Sequence, residues 1–256
     1  MDNPAVLFDA GNTALKIAWS VEHHLSDPIF IPTQDVCQEK LDTVLRTIAQ
    51  KTDGTFRCFC ACSVVPHLNS VLAAAVDRIF NAHLLFAPET LSVPLTVCYE
   101  PQASLGHDRL VEAFAARALC QEPALIVIDL GTAVTIDCVQ ETCFLGGFIL
   151  PGPALAFSSL NAQTAQLPLL ESQSLPSAFE PGRSTKSCIQ NGVLFGLISL
   201  LEGMITRLKK TLAQPVHVVA TGGFAAALSK TALFDTVSPH LVLTGLHLLS
   251  QHKNKR

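Results

Sequence analysis

Short apolar runs alternate with longer amphipathic ones along the chain. Val6–Phe8, Leu15–Ser20, Arg57–Val64, Leu125–Asp129, Val134–Val139 and Val216–Ala220 read as strands. Gln38–Gln50, His67–Phe80, Leu110–Leu119, Ile189–Leu212 and Leu241–His252 read as helices. Strands and helices mixed in this order predict an α/β fold. Between Thr142 and Leu170 there is no charged residue. A membrane-spanning helix needs about 20 mainly apolar residues in a row. Gly146, Gly147, Pro151, Gly152, Pro153, Asn161 and Pro168 interrupt this stretch, and it is read as non-spanning.

The pattern repeats. "VLFDAGNTALKIAW" and "LIVIDLGTAVTIDCV" each place an apolar strand ending in Asp before one apolar residue, a Gly, a hydroxyl or amide residue and a second strand. Asp9 and Asp129 lie 120 residues apart. Two such units predict two similar domains, residues 1–119 and 120–256, with the break in "ALCQEPA".

Composition narrows the picture. Hydrophobic residues make up 49% of the 256 and charged residues 15%, against about 25% charged in a typical soluble domain. So sparse a charged coat predicts that some surface is covered in an oligomer. The net charge of −4 lacks the basic footprint of a nucleic-acid binder. The tail "HKNKR" is the one basic cluster, read as a frayed end. No positively charged segment leads into an apolar one at the start, so a cytoplasmic protein is expected, with neither membrane nor nucleic acid as partner. Nine cysteines, an odd number, argue against a disulfide framework. "CFCAC" puts Cys58, Cys60 and Cys62 on one strand face, where buried apolar thiols are favoured over a metal site.

The polar turns raise the chemical question. Gly11 and Gly131 permit close backbone approach, and successive exposed N–H groups can cradle an anion. Thr13 and Thr132 add hydroxyls and Lys16 adds charge. An Asp before such a turn would repel a phosphate unless a cation sits between them. Two cradles facing across a cleft would grip a nucleoside triphosphate; a single one would read as a hairpin with a surface Asp. "VVATGGFAAAL" adds a strand, Thr221-Gly222-Gly223 and a helix, another place for exposed backbone to meet a nucleotide. Neither a Walker A sequence nor G-x-G-x-x-G is present. Gly106-His107-Asp108-Arg109 precedes a helical run, where an Asp beside an Arg can serve as a base and a carboxylate grip. Spacing alone favours the plainer reading, an acidic first helical turn with a surface ion pair.

Taken together these residues resemble the type III pantothenate kinases, of the actin, hexokinase and acetate kinase superfamily. The family's D-x-G-N-T-x-x-K is present as Asp9, Gly11, Asn12, Thr13 and Lys16. Its Tyr seven residues ahead of G-x-D-R is matched by Tyr99, Gly106, Asp108 and Arg109. Its D-x-G-T-A-x-T-x-D is matched through Asp129, Gly131, Thr132, Ala133, Thr135 and Asp137. "GGFILPG", "TAQLP", "GRSTKSCIQNG" and the Thr221–Gly223 turn follow in family order. Many members carry Ala at His107 and Asn at Glu112, and Val21 to Thr55 shows little resemblance.

The resemblance implies two duplicated ribonuclease H-like, actin-like ATPase domains with a nucleotide cleft between them. It implies ATP-dependent phosphorylation of pantothenate, the first step towards coenzyme A. Asp108 is then the catalytic base. Asp9, Ala10, Gly11, Asn12, Thr13, Ala14, Leu15 and Lys16, with Thr132, hold ATP, and Asp9 serves Mg2+. Tyr99, Gly106, His107, Asp108, Arg109 and Thr185 hold pantothenate. Asp129 ligates a monovalent cation, K+ or NH4+. A homodimer is implied, with Thr185 reaching the partner's site. The competing expectations are another small-alcohol kinase of the superfamily and a non-enzymatic accessory transcription regulator.

Overall fold

The computed structural model describes residues 4–21, 24–52, 56–170 and 175–252. Lys253–Arg256, most of the basic tail, lie outside the described residues. The chain divides into two units. Unit 1 holds Met1–Leu95, Glu100–Ala115 and Leu241–Arg256, and unit 2 holds Thr96–Tyr99 and Ala116–His240.

Unit 1 is built on β1 (Ala5–Ala10), whose six residues are all buried. A strand covered on both faces reads as a continuous apolar run. It pairs antiparallel with β2 (Ala14–Val21) and parallel with β5 (Cys58–Ser63). The sheet order is β3 (His24–Leu25), β2, β1, β5, β6 (Leu85–Ala87), with β4 (Ile29–Pro32) also pairing β2. Val6, Phe8, Phe59 and Ala61 face α1 (Gln38–Lys51) and α2 (Pro66–Phe80). α1 offers Leu41, Leu45 and Ile48 at helical spacing, and α2 offers Leu68, Leu72, Ala75 and Val76. Pro66 opens α2, where its missing N–H costs nothing. Alternation along β5 turns Cys58, Cys60 and Cys62 to the other face. All three are buried, and the sulfurs of Cys58 and Cys60 lie 3.3 Å apart, in agreement with the one-face reading. α7 (Leu241–His252) packs against β1 and β5. It also meets α3 (His107–Leu119) so closely that a Cβ at Gly245 would lie 2.7 Å from the Val111 carbonyl oxygen.

Unit 2 repeats the scheme. β8 (Ala124–Leu130) pairs antiparallel with β9 (Ala133–Gln140) and parallel with β11 (Val216–Thr221). The order is β12 (Thr236–Val237), β11, β8, β9, β10 (Cys143–Pro151), β7 (Thr96–Val97). Ile126, Ile128, Leu130, Val134, Ile136, Val218 and Ala220 form a core that includes Phe157 of α4 (Pro153–Ala162) and Ile189, Leu194, Leu197, Leu201 and Ile205 of α5 (Thr185–Leu212). The internal echo is therefore architectural, because β1–β2–β5 and β8–β9–β11 are paired alike.

The units do not follow the expected contiguous halves, 1–119 and 120–256. α7 returns to unit 1 because its apolar face is buried on β1 and β5. Thr96 and Val97 join unit 2 by pairing with β10. The division falls within α3, between Ala115 and Ala116.

Several elements escaped the periodicity: β3, β4, β6, β7, β12 and α6 (Ala225–Leu228), each of only two to four residues, and β10 and α4, both in the uncharged stretch after Thr142. Gly146 and Gly147 carry no side chains to mark alternation, and the β9–β10 register shifts between Phe144 and Gly146. Among the described residues one helix, α5, is long and apolar enough to cross a membrane by length and composition. Its apolar side chains include the core positions just named.

Candidate functional site

In unit 1 the polar turn links β1 to β2. Asp9 stands at the end of β1, 6% exposed. The Gly11 amide donates to the Ala14 carbonyl at 3.1 Å, closing the turn and leaving Asn12 and Thr13 exposed. Ala10 and Leu15 belong to the core under α1 and α2, so only their backbone is available to a ligand. Lys16 lies opposite Asp9 in register, and its Nζ is 2.8 Å from Asp9 Oδ2.

A residue outside every motif braces this turn. Thr33 follows β4; its hydroxyl donates to the Gly11 carbonyl at 2.6 Å and its amide to the Thr13 carbonyl at 3.0 Å. The sequence offers no local sign of this role, since Thr33 reaches the turn only because β4 pairs with β2.

α3 begins at His107, three residues earlier than periodicity predicts, which places Asp108 and Arg109 in its first turn. The Arg109 amide donates to Asp108 Oδ1 at 2.8 Å. Gly106 makes room for that carboxylate: a Cβ there would lie 2.6 Å from Asp108 Oδ1. Burial pushes the Asp108 carboxyl above its ordinary range. The Arg109 amide bond opposes the shift and the negative charge of Asp9 adds to it. Arg109 and Glu112 are both 5% exposed. Cys62, the neighbour of Asp9 on β5, has its thiol raised well above the usual value by burial, then by Asp9, Asp108 and Glu112 in turn. Asp9 and Asp108 thus stand in a common negative field, together with Glu112, which suits a divalent cation bound with oxygen ligands.

In unit 2 Asp129 ends β8, and the Gly131 amide donates to the Ala133 carbonyl at 3.1 Å. The Thr132 carbonyl accepts from the Gly152 amide at 3.0 Å. Gly222, at the end of β11, adopts φ +91°, which favours glycine, and a Cβ there would lie 2.2 Å from Asp129 Oδ1. The Thr221–Gly223 turn therefore lies directly against the Asp129 carboxylate. Thr135 pairs with Asp129 in register, on the same sheet face. Its hydroxyl oxygen is buried and makes no hydrogen bond with the described residues.

Tyr99 also lies in unit 2. Its ring meets Phe144 edge-on at 6.2 Å, and a Cβ at Gly146 would be 3.6 Å from it. Its neighbour Cys98 forms a disulfide with Cys143, with Cα atoms 6.6 Å apart. The other seven cysteines are thiols, so this single bridge does not make the framework that the odd cysteine count argued against. Thr185 is exposed as the first residue of α5, after the N-cap Ser184, which makes a reciprocal capping box with Ser187. The structure thus brings together Asp9, the Gly11–Lys16 turn and Gly106–Arg109 in unit 1. Asp129, Thr132, Tyr99 and Thr185 belong to unit 2.

A family profile described as type III pantothenate kinase matches residues 5–207. A relative from Desulfovibrio desulfuricans, named type III pantothenate kinase, is 41% identical over 256 residues, covering 97% of each chain. Among solved structures, a Campylobacter jejuni protein described as a Baf family transcriptional activator aligns over 98% of this chain and 100% of its own, with TM-score 0.60 and 18% identity. A glucokinase from an Antarctic psychrotroph aligns over 99% and 100%, with TM-score 0.52 and 13% identity. At these identities the two structures speak for the fold alone, the two-domain actin-like architecture of sugar kinases.

Thr33→Val keeps the backbone bond to Thr13 and deletes the hydroxyl bond to Gly11. One such bond contributes about 0.5–1.5 kcal/mol. Hydrogen exchange should quicken in residues 11–16 while the sheet interior keeps its protection. Unchanged exchange in that turn would show that Thr33 does not brace it.

Proposed function

The chain belongs to the type III pantothenate kinase family, and we propose that Asp108 is the base of the reaction that the family carries out. That reaction is ATP-dependent phosphorylation of pantothenate in coenzyme A biosynthesis. ATP and a divalent metal serve it, and pantothenate is the acceptor. The observation that carries the proposal is the placing of Asp108. Its carboxylate is held by the Arg109 amide in the first turn of α3, within the field of Asp9, and burial makes it more basic than an ordinary Asp.

Phosphoryl transfer depends mainly on positioning and charge neutralisation. Asp108 accepts the proton of the attacking hydroxyl. Arg109 pairs with the pantothenate carboxylate, where a guanidinium can make two parallel bonds. Tyr99, Gly106, His107 and Thr185 complete the pantothenate set. The backbone of Asp9–Lys16, the Lys16 ammonium and Thr132 hold the triphosphate. Asp9 holds magnesium, which neutralises phosphate charge when bound. We assign to Asp129 a monovalent cation, potassium or ammonium, supported by the buried, unbonded Thr135 hydroxyl paired with it. A cytoplasmic location follows from dependence on ATP.

Asp108→Asn keeps the shape and removes the base, so kcat should fall by about 10²–10⁴, while ATP still binds. The pH profile follows from the raised carboxyl. The base works only when ionised, so kcat/KM should fall as pH drops through a value above that of an ordinary Asp. Stability has the opposite sense. The native state holds this proton more tightly than the unfolded chain, so ionisation costs stability as pH rises through the raised value. Asp108→Asn should therefore denature at a higher temperature than the parent at neutral pH. Turnover within threefold of the parent would remove Asp108 from the role.

With magnesium and only large organic cations present, turnover should be low, and potassium or ammonium should restore it. Asp129→Ala should abolish that response. Full activity without either ion would leave Asp129 as a turn residue.

We also assign a homodimer. The low charged fraction supports it, as do the exposed Phe148, Ile149, Leu155 and Leu200 of unit 2, and Gly192 and Gly196 of α5, whose added Cβ atoms would meet nothing. A second copy would cover these apolar groups. Mixed Asp108→Asn and Thr185→Val chains should regain activity if the site is shared. Light scattering at the mass of one chain, 27.4 kDa, at micromolar concentration would contradict the dimer.

A further inference from the structure

We infer that Cys120, Glu122 and His217 form a binding site for a borderline-soft divalent transition metal, zinc foremost, in unit 2 and separate from the magnesium of the kinase reaction. Cys120 and Glu122 lie between α3 and β8. His217 is the second residue of β11, which pairs with β8 so that His217 stands beside Leu125. This pairing brings together groups 97 residues apart in sequence. The sulfur, a carboxylate oxygen and a ring nitrogen all lie within 4.8 Å of one another. Glu122 Oε1 is 3.4 Å from His217 Nδ1.

The donors are held in place. His217 Nε2 is 2.8 Å from Thr236 Oγ1. With a metal on Nδ1 in place of the contact to Glu122, Nε2–H would donate to that hydroxyl, the arrangement in which metal-binding histidines are fixed by an outer partner. Arg117 donates to the Glu122 carbonyl at 2.6 Å and also to the Cys120 carbonyl, so the backbone carrying two of the donors is clamped. An ordinary surface ion pair would need neither the thiol nor the Thr236 bond.

The donor set selects the metal. Thiolate and imidazole favour zinc and its neighbours, whereas magnesium and calcium take oxygen. Three protein donors, all half-buried, leave a fourth tetrahedral position for water. A bound ion would tie the end of α3 to β11 and close a long loop of chain.

The probe is Co2+, titrated into the intact, chelator-washed protein. A thiolate-to-cobalt charge-transfer band should grow to saturation at one equivalent, with tetrahedral d–d absorption. Zn2+ should displace it and excess Mg2+ should not. Cys120→Ser should abolish the band. Glu122→Gln and His217→Gln should weaken binding about tenfold or more, and Thr236→Val about tenfold with the band still present. Cys37→Ser, Cys188→Ser and the Cys98→Ser/Cys143→Ser double variant should keep it. X-ray absorption of the zinc-loaded parent should show one sulfur at about 2.3 Å among lighter ligands at about 2.0–2.2 Å, a reading that needs no variant. Absence of a saturable band, its survival in Cys120→Ser, or a zinc shell without sulfur would overturn the site.

Discussion

A carboxylate buried beside other negative charge is costly to keep ionised, and unit 1 is organised around that cost at Asp108. Burial, and then Asp9, Asp108 and Glu112, drive up the thiol of Cys62, and burial raises the Asp108 carboxyl itself. Lys16 answers Asp9 at 2.8 Å and the Arg109 amide answers Asp108. Such an arrangement persists only if the elements carrying the acids cannot relax apart. β1 is held between β2 and β5 with every residue buried, and α3 is held by the close approach of α7 at Gly245. Burial above all, with the charge of Asp9 adding to it, makes Asp108 a stronger base than an ordinary Asp, and the negative charge gathered here suits a divalent cation.

A second constraint is space beside the acids. Asp108 is faced by Gly106, Asp129 by Gly222 and Asp137 by Gly147. In each case an added Cβ would lie between 2.2 and 2.6 Å from a carboxylate oxygen. A side chain at any of the three would push the acid out of place, so each glycine leaves the room that its neighbouring carboxylate occupies. The glycines of G-H-D-R and T-G-G thus have a steric reason to stand beside Asp108 and Asp129.

The repeated hairpin shows how one architecture supplies two different turns. β1–β2 and β8–β9 each pair with a parallel strand on the far side, β5 and β11. In unit 1 that neighbour brings Cys62 beside Asp9; in unit 2 it brings Thr221 beside Asp129. Asp9 also faces an ammonium, whereas Asp129 faces a buried hydroxyl. Equivalent positions thus have unlike surroundings, which suits a small divalent ion at one and a weakly hydrated monovalent ion at the other.

The sequence by itself determined the strands and helices with strong periodicity, the burial of the Cys58–Cys60–Cys62 face, the duplication, and the Asp–x–Gly and Gly106–Arg109 motifs. These are local properties, because alternation and helical spacing record which face of an element meets the core. Tertiary structure alone decided the rest. α7 crosses back to unit 1, and Thr96–Val97 is lent to unit 2. Thr33 braces a turn 22 residues away, Cys98 meets Cys143, and His217 meets Glu122. Each of these depends on which distant element supplies the partner. A side chain's own neighbours in sequence carry no record of that choice, since it is made by strand pairing and by the burial of apolar faces against one another.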